Sequence, residues 1–386
     1  MLLVLERLAQ GDGSTALGLG WHLGIVLNER TERRWPDHIW RALAEAIVKN
    51  GDMINHYASE AGTGSPSRGG LPHTRAVPAE DSSKNDSRKN ASEKTGWRLY
   101  GRKTFATLSP ILRHFTVTAR IDKKVEKNPT SPSTDRIGDA NDRTDGVIEQ
   151  PGEAIGRFFI SLPEAPPVLE QFIDTPEEAI FDPDNPDVWI IPTWDTLGMR
   201  ATGSHDVVLN GLFVPRSALI ECTYPASKKE SAKSQTISDG WLLHIPATYL
   251  GIARAARDFA LHYARHYQPS SLTQPIGELP HIQTLIGTIE EHYRTARTVL
   301  YSTAAHWDRS PQQSAHLAPD LGLAKRFVIA NSLAIVDLAM RIVGGQSLSR
   351  SRPLERYYRD VRAGLHNPPM DDTVLLQLAR RALDEI

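Results

Sequence analysis

WDTLGMRATGSHDVVLNGLFVP, residues 194 to 215, is unlike any other run of this 386-residue chain. It opens on small, polar and glycine residues and closes as an apolar strand, so it reads as a shaped loop feeding a sheet. Gly198 and Gly203 lack the Cβ that restricts φ, so the backbone there can turn tightly or pass close to a ligand. Ser204, His205 and Asp206 then crowd polar groups at the strand entry. A polar turn before an ordinary edge strand and a loop shaped around a ligand both fit this local chemistry. Arg200, Thr202 and Ser204 can orient a ligand or a neighbouring loop, but none of them is a base.

Outward from this run, between Trp97 and about Leu219, the apolar period is two. Phe115, Val117, Ala119 and Ile121 alternate with Thr116, Thr118 and Arg120, the mark of a strand with one buried face. GWRLYGRKTFATL, RFFISL and VWIIPTW add further strands, which together predict an all-β middle domain, a barrel or a sandwich, over 58–220. Polar insertions near 76–95 and 122–154 interrupt it without hydrophobic periodicity.

Both flanks have a helical period. Before the sheet, Leu43, Ile47 and Ile54 recur at helical spacing, and GDGSTALGLGWH is expected to break the first helix, giving a helical unit over 1–57. MLLVLERLAQ looks like a helix already under way, so this unit is read as partial. After the sheet, Ile252, Ala256, Phe259 and Tyr263 line one helix face, and Leu323, Phe327, Ala330, Ala334 and Leu338 are expected to line another. A helical bundle over 238–386 follows. Between the first helices and the sheet, SEAGTGSPSRGG at 59–70 is either a solvated linker or a nest of backbone amides facing an anion.

Composition narrows the function. Apolar residues make up 40% and charged residues 23%, with a net charge of −2, which is ordinary for a globular enzyme and leaves no basic footprint for nucleic acid. One cysteine, Cys222, excludes an internal disulfide and suits a reducing cytoplasm. No apolar run is read as long enough to cross a bilayer. The histidines form no cluster with carboxylates at ligand spacing, so no metal site is expected. Phosphate-binding and serine-nucleophile motifs are absent from the sequence.

The order helices, strands, bundle, taken with GWRLYGRKTFAT, LGMRATGSHDVVLNGLFVP and RIVGGQSLSRSRPLERYYRDVRAG, resembles the acyl-CoA dehydrogenase family of flavoproteins. That resemblance implies an N-terminal helical domain, here shortened, a middle β-domain and a C-terminal four-helix bundle. It implies a flavin, FAD or alternatively FMN, lying between sheet and bundle, in a homodimer or homotetramer. Ser59 matches the residue whose loop contacts the flavin ring, Phe105 the aromatic that packs on it and Thr107 the hydroxyl that bonds it. Read without the family, Phe105 is a core residue of an edge strand. Gly344 and Gly345 match glycines that let a partner subunit approach the cofactor, or on their own form a helix C-cap.

The reacting segment departs from the family. Its dehydrogenases remove a proton α to an acyl-CoA thioester with a glutamate; here the matching stretch is AGLHNPPMDD, which contains no glutamate. His366 is the candidate base, because imidazole exchanges protons near neutral pH. A surface histidine ahead of a Pro-Pro turn is the alternative. Asp371 and Asp372 read equally as caps of the last helix. Tyr267 and Gln268 stand where the family carries a cofactor-binding arginine and aromatic, with Arg265 nearby. The expected activity is flavin-dependent oxidation of the Cα–Cβ bond of an acyl-CoA; a monooxygenase on the same fold and an inactive family member are the alternatives.

Overall fold

The computed structural model describes residues 1–63, 71–80, 95–122, 154–169, 187–223, 240–309 and 314–384. Three helices come first: α1 (Leu2–Gly11), α2 (Gly13–Glu32) and α3 (Asp37–Asn50). The glycine-rich run breaks the first helix, as expected, between Gly11 and Gly13, but the rest of it is helical. Only Asp12 is extended, and its carboxylate accepts the Thr15 amide at 2.7 Å, capping α2. The glycines stay helical because α2 packs too closely for side chains: a Cβ on Gly18 would lie 2.9 Å from Leu108, and one on Gly20 2.5 Å from His244. Ile54 is likewise not helical. It begins β1 (Ile54–Tyr57), whose first amide is taken up by His22 Nδ1 at 3.1 Å.

The remaining strands are β2 (Arg75–Glu80), β3 (Thr95–Ala106), β4 (His114–Ile121), β5 (Ala154–Ser161), β6 (Val188–Ile191), β7 (His205–Pro215) and β8 (Leu219–Thr223). They form one mixed sheet in the order β6-β7-β3-β2-β4-β5-β8, with β1 parallel to β4. Among the described residues its end strands β6 and β8 do not pair, so neither a two-sheet sandwich nor a closed barrel is seen. One core nevertheless includes Val188 and Ile190 from one end and Phe158 and Ile160 from the other, so the sheet curls around a single apolar interior. The alternation read in β4 is real: Phe115, Val117 and Ala119 are fully buried. Residues 76–80, placed in a polar insertion by sequence, pair with β3 instead. Pro78 is tolerated because the β2–β4 pairing involves only Arg75 and Ala76. The rest of both insertions lies outside the described residues, apart from their edges in β3, β4 and β5, as does 64–70 of the glycine and serine-rich loop.

The C-terminal helices are α4 (His244–His266), α5 (Pro280–Arg309), α6 (Ser314–Val343), α7 (Leu354–Arg362) and α8 (Asp371–Asp384). Helix α4 is central, packing against α1, α2, α5, α6 and α7. It meets α1 almost backbone to backbone, since a Cβ on Gly251 would lie 2.3 Å from the Glu6 carbonyl oxygen. The α6 stripe predicted from sequence is the wrong one. Leu321, Ala324, Val328, Ile335, Ala339 and Ile342 are buried, whereas Leu323 and Ala330 are exposed. The helix is apolar on nearly every side, so periodicity could not select its inner face. Within the same stretch, Leu317–Leu348, an 18-residue window has a mean hydropathy of 1.7, so by length and composition it could cross a bilayer, which the sequence reading did not pick out; in the fold it packs between α4 and α5.

Candidate functional site

Near the end of β3 the ladder to β7 is irregular between Lys103 and Ala106. An irregularity of this kind re-aims one side chain. Here it is Phe105, held at φ 55° and 68% exposed although β3 lies inside the sheet between β2 and β7. Phe105 is therefore not a core residue of an edge strand. Its ring meets Trp194 edge-on, with centroids 6.0 Å apart and planes at 82°.

Behind the phenyl ring the support is buried and charged. Lys103 is fully buried and paired with Glu60, which also accepts from Thr74 Oγ1 and the His73 amide, each at 2.6 Å. Burial pushes the Glu60 carboxyl upward, but the Lys103 ammonium and its hydrogen bonds prevail and hold it below the ordinary value. Next to this pair, the Thr104 amide donates to the Ser59 carbonyl at 2.9 Å. Ser59 and the Phe105 segment are thus tied together through backbone and ion pair.

Two residues beyond Phe105, the hydroxyl of Thr107 lies 2.9 Å from Ser204 Oγ, which lies 2.8 Å from Thr202 Oγ1. Thr202 Oγ1 in turn donates to the Met199 carbonyl at 2.9 Å. The loop that makes this possible needs positive φ at Met199 (54°) and Gly203 (52°). Trp194 closes it, donating its indole N–H to the Met199 carbonyl at 3.1 Å and its amide to His205 Nδ1 at 3.0 Å. His205 therefore carries its proton on Nε2, and burial lowers its pKa further, so it is neutral.

The same loop touches the bundle. The Met199 amide donates to Asp360 Oδ1 at 2.6 Å, and Arg359 Nη1 donates to the Leu197 carbonyl at 2.8 Å. Gly198 allows this approach, because a Cβ there would lie 2.3 Å from the Arg359 carbonyl oxygen. Asp360 is buried, which raises its pKa against the lowering effect of the Met199 amide and nearby arginines. Tyr249, wholly buried on α4, feels the Asp360 charge and donates its hydroxyl to Asn367 Oδ1 at 2.5 Å. Asn367 follows His366, which is exposed at the end of the turn Ala363–His366.

The structure thus brings Ser59, Phe105 and Thr107 together and connects them, through Met199, Asp360 and Tyr249, to the segment carrying His366. Gly344 and Gly345 lie outside that network, in a turn packed on α6 and α7; Gly344 has φ 69°, and a Cβ on either would meet nothing within 4 Å. Asp371 and Asp372 open α8, where Asp371 sits 3.5 Å from both Lys325 and Arg326 and Asp372 accepts the Thr373 amide at 2.8 Å. Tyr267 is exposed and stacks on Tyr263, and Arg265 is exposed beside it. A hollow of 660 Å³ lined by Ser302, His306, Arg309 and Asp320 holds none of the predicted residues.

Against known proteins, residues 243–367 match the family model described as acyl-CoA dehydrogenase, C-terminal domain. Over its whole length the chain is 40% identical to "Putative acyl-CoA dehydrogenase YdbM" of Bacillus subtilis (strain 168), covering 82% of that protein. The chain belongs to the acyl-CoA dehydrogenase family. It is also 27% identical to the amino sugar nitrososynthase DnmZ of Streptomyces peucetius, over 94% of this chain and 73% of that one. Among solved structures, KijD3 in complex with FMN and a dTDP-linked amino sugar superimposes with a TM-score of 0.67 at 23% identity, covering 99% of this chain and 79% of that one. The fold is that of the acyl-CoA dehydrogenases. Glu60, Lys103 and Tyr249 escaped the sequence reading. For Lys103 a signal existed, because it falls in phase with Leu99 on the buried side of β3, where a charge requires a partner.

Proposed function

We propose that the protein is a flavin-dependent oxidoreductase that inserts an oxygen atom into a small-molecule substrate, with His366 carrying the proton. The residues present fit a flavin. Phe105 holds an aromatic plane outward, where an isoalloxazine face can pack. Thr107 supplies a hydroxyl for the polar edge, and Ser59 a backbone contact beside it. Gly344 and Gly345 leave open space for a partner subunit's approach in a homodimer or homotetramer. Bound FAD or FMN supplies two-electron redox chemistry and, once reduced, reactivity toward oxygen.

The observation that carries the choice of reaction is the inventory of bases. An exposed imidazole at His366 faces solvent, whereas the carboxylates of Asp360, Asp371 and Asp372 all have partners. Imidazole can return a proton as readily as take one near neutral pH, which suits oxygen insertion. The likeness to a nitrososynthase along nearly the whole chain supports the same reading, because making a nitroso group from an amine adds oxygen to nitrogen.

A second reading, Cα–Cβ oxidation of an acyl-CoA thioester, is favoured by the 40% identity to YdbM. In it His366 removes the α-proton. A cytoplasmic location fits either reaction and the single cysteine.

Purified protein should show flavin absorbance; a colourless protein that takes up neither FAD nor FMN overturns both readings. Substrate-dependent oxygen consumption by the chemically reduced enzyme, with an oxygenated product, supports insertion. Anaerobic bleaching by an acyl-CoA panel without oxygen uptake establishes the second reading in its place.

A further inference from the structure

The hydroxyls of Thr107, Ser204 and Thr202 are arranged in a row that ends on the Met199 carbonyl, and all three residues are buried. Each hydroxyl has one hydrogen and two lone pairs, so a head-to-tail row can run in two polarities. In the inward polarity Thr107 donates to Ser204, Ser204 to Thr202 and Thr202 to the carbonyl, and every hydrogen is used inside the protein. In the outward polarity Thr202 donates to Ser204 and Ser204 to Thr107, and the Thr107 hydrogen is left without an acceptor among the described residues. The carbonyl does not oppose reversal, because it also receives the Trp194 indole N–H and the Thr202 amide, each at 3.1 Å. The inward polarity has one more hydrogen bond and is the resting one.

We infer that this row makes Thr107 an acceptor toward the cofactor and so selects the reduced, N–H-bearing flavin over the oxidised one. The inference rests on the flavin reading above. In oxidised isoalloxazine the unsubstituted nitrogen of the central ring is a bare acceptor; two-electron reduction turns it into an N–H donor. A lone pair on Thr107 meets that donor without cost. Toward the oxidised ring the Thr107 hydrogen must first leave Ser204, so the row gives up one internal hydrogen bond. Thr202 and Ser204, neither of which need touch the cofactor, are positioning residues that set the direction of the Thr107 hydrogen.

The test compares dissociation constants of the full-length protein for oxidised and anaerobically dithionite-reduced FMN and FAD. In Ser204→Ala the Thr107 hydrogen loses its inner acceptor and turns outward, which favours the oxidised ring. Thr202→Val removes the inner end of the row and acts in the same direction. In both variants the ratio of oxidised to reduced dissociation constants should fall about tenfold, the consequence of one hydrogen bond changing sides. The midpoint potential of the bound flavin then falls by about 30 mV for a two-electron couple. Thr202→Ser should restore both values.

Unchanged ratios in two variants whose thermal unfolding matches wild type overturn the inference while leaving flavin binding intact, as does a change in the opposite direction. Should Ser204→Ala fold poorly, Thr202→Val and its serine counterpart decide alone. If wild-type protein binds neither flavin in either oxidation state, the flavin reading falls and the inference falls with it.

Discussion

The backbone amide of Met199 donates to the carboxylate of Asp360 across 2.6 Å, joining residues 161 positions apart. One end of this bond belongs to the loop entering β7 and the other to a helix of the bundle. The wall presented by Phe105 and the turn carrying His366 are held in relation to each other by that contact, together with Arg359 and Leu197. Removing its acceptor, as in Asp360→Ala, leaves a buried amide unpaired and should lower stability by about 1–3 kcal/mol. Asp360→Asn keeps an acceptor and should cost much less. The two differ from wild type in pH dependence as well. Burial raises the Asp360 pKa, so the folded protein holds that proton more tightly than the unfolded chain does. The Asp360 contribution should be lost as pH rises from the ordinary carboxylate value through the raised one, so the stability difference between wild type and Asp360→Asn should change across that window while the other carboxylates titrate alike in both. Denaturant unfolding at a series of pH values measures both effects.

Phe105 is held in a conformation that suits glycine, with its ring in solvent. A non-glycine residue in the left-handed region costs on the order of 1–3 kcal/mol. Phe105→Gly should therefore leave the melting temperature unchanged or raise it, while weakening flavin binding at least about tenfold through loss of the stacked ring. A variant that melts lower and binds flavin as wild type does would contradict the role given to the ring.

Lys103 and Glu60 form a buried ion pair under the wall. Breaking it from one side, as in Lys103→Met, strands a buried carboxylate and should cost about 3–5 kcal/mol, whereas the double variant Glu60→Gln, Lys103→Met should recover much of the loss. In wild type the Glu60 pKa is lowered, so its contribution is present above the unfolded carboxylate value and disappears as pH falls through the folded one. Lys103→Met should reverse that slope near acid pH, since burial alone raises the carboxyl. A double-mutant cycle followed by circular dichroism reads the coupling.

Replacing His366 by alanine should abolish turnover with flavin retained and stability close to wild type, because the imidazole is exposed. Tyr249→Phe removes the hydroxyl that holds Asn367, so the turn loses its anchor while the imidazole stays. Turnover should fall by about tenfold, less than in His366→Ala. A rate unaffected by His366→Ala removes the residue from the reaction.

The architecture was legible where chemistry alternates cleanly. In β4 a period of two picked out Phe115, Val117 and Ala119, and three scattered motifs were enough to suggest the family. Legibility failed where one residue carries several meanings. GDGSTALGLGWH does break the first helix, but only at Asp12; beyond it, close packing against Leu108 and His244 keeps the glycines helical although glycine lowers helix propensity. In α6 apolar residues on nearly every side hid the inner face. The outward ring of Phe105 was not legible from local pattern, since no local rule foretells that a phenylalanine within a strand points into solvent. The Met199–Asp360 bond and the Tyr249 anchor join residues far apart in sequence, and a single sequence carries no trace of such pairings.

The irregularity between Lys103 and Ala106 has a further consequence. The ladder resumes at Ala106 opposite His205 only because the number of intervening residues is fixed. A chain with one residue fewer there would keep its sheet and turn its aromatic inward, losing the wall without losing the fold. In this chain, the number of residues between Lys103 and Ala106 decides where the aromatic points as much as their identity does.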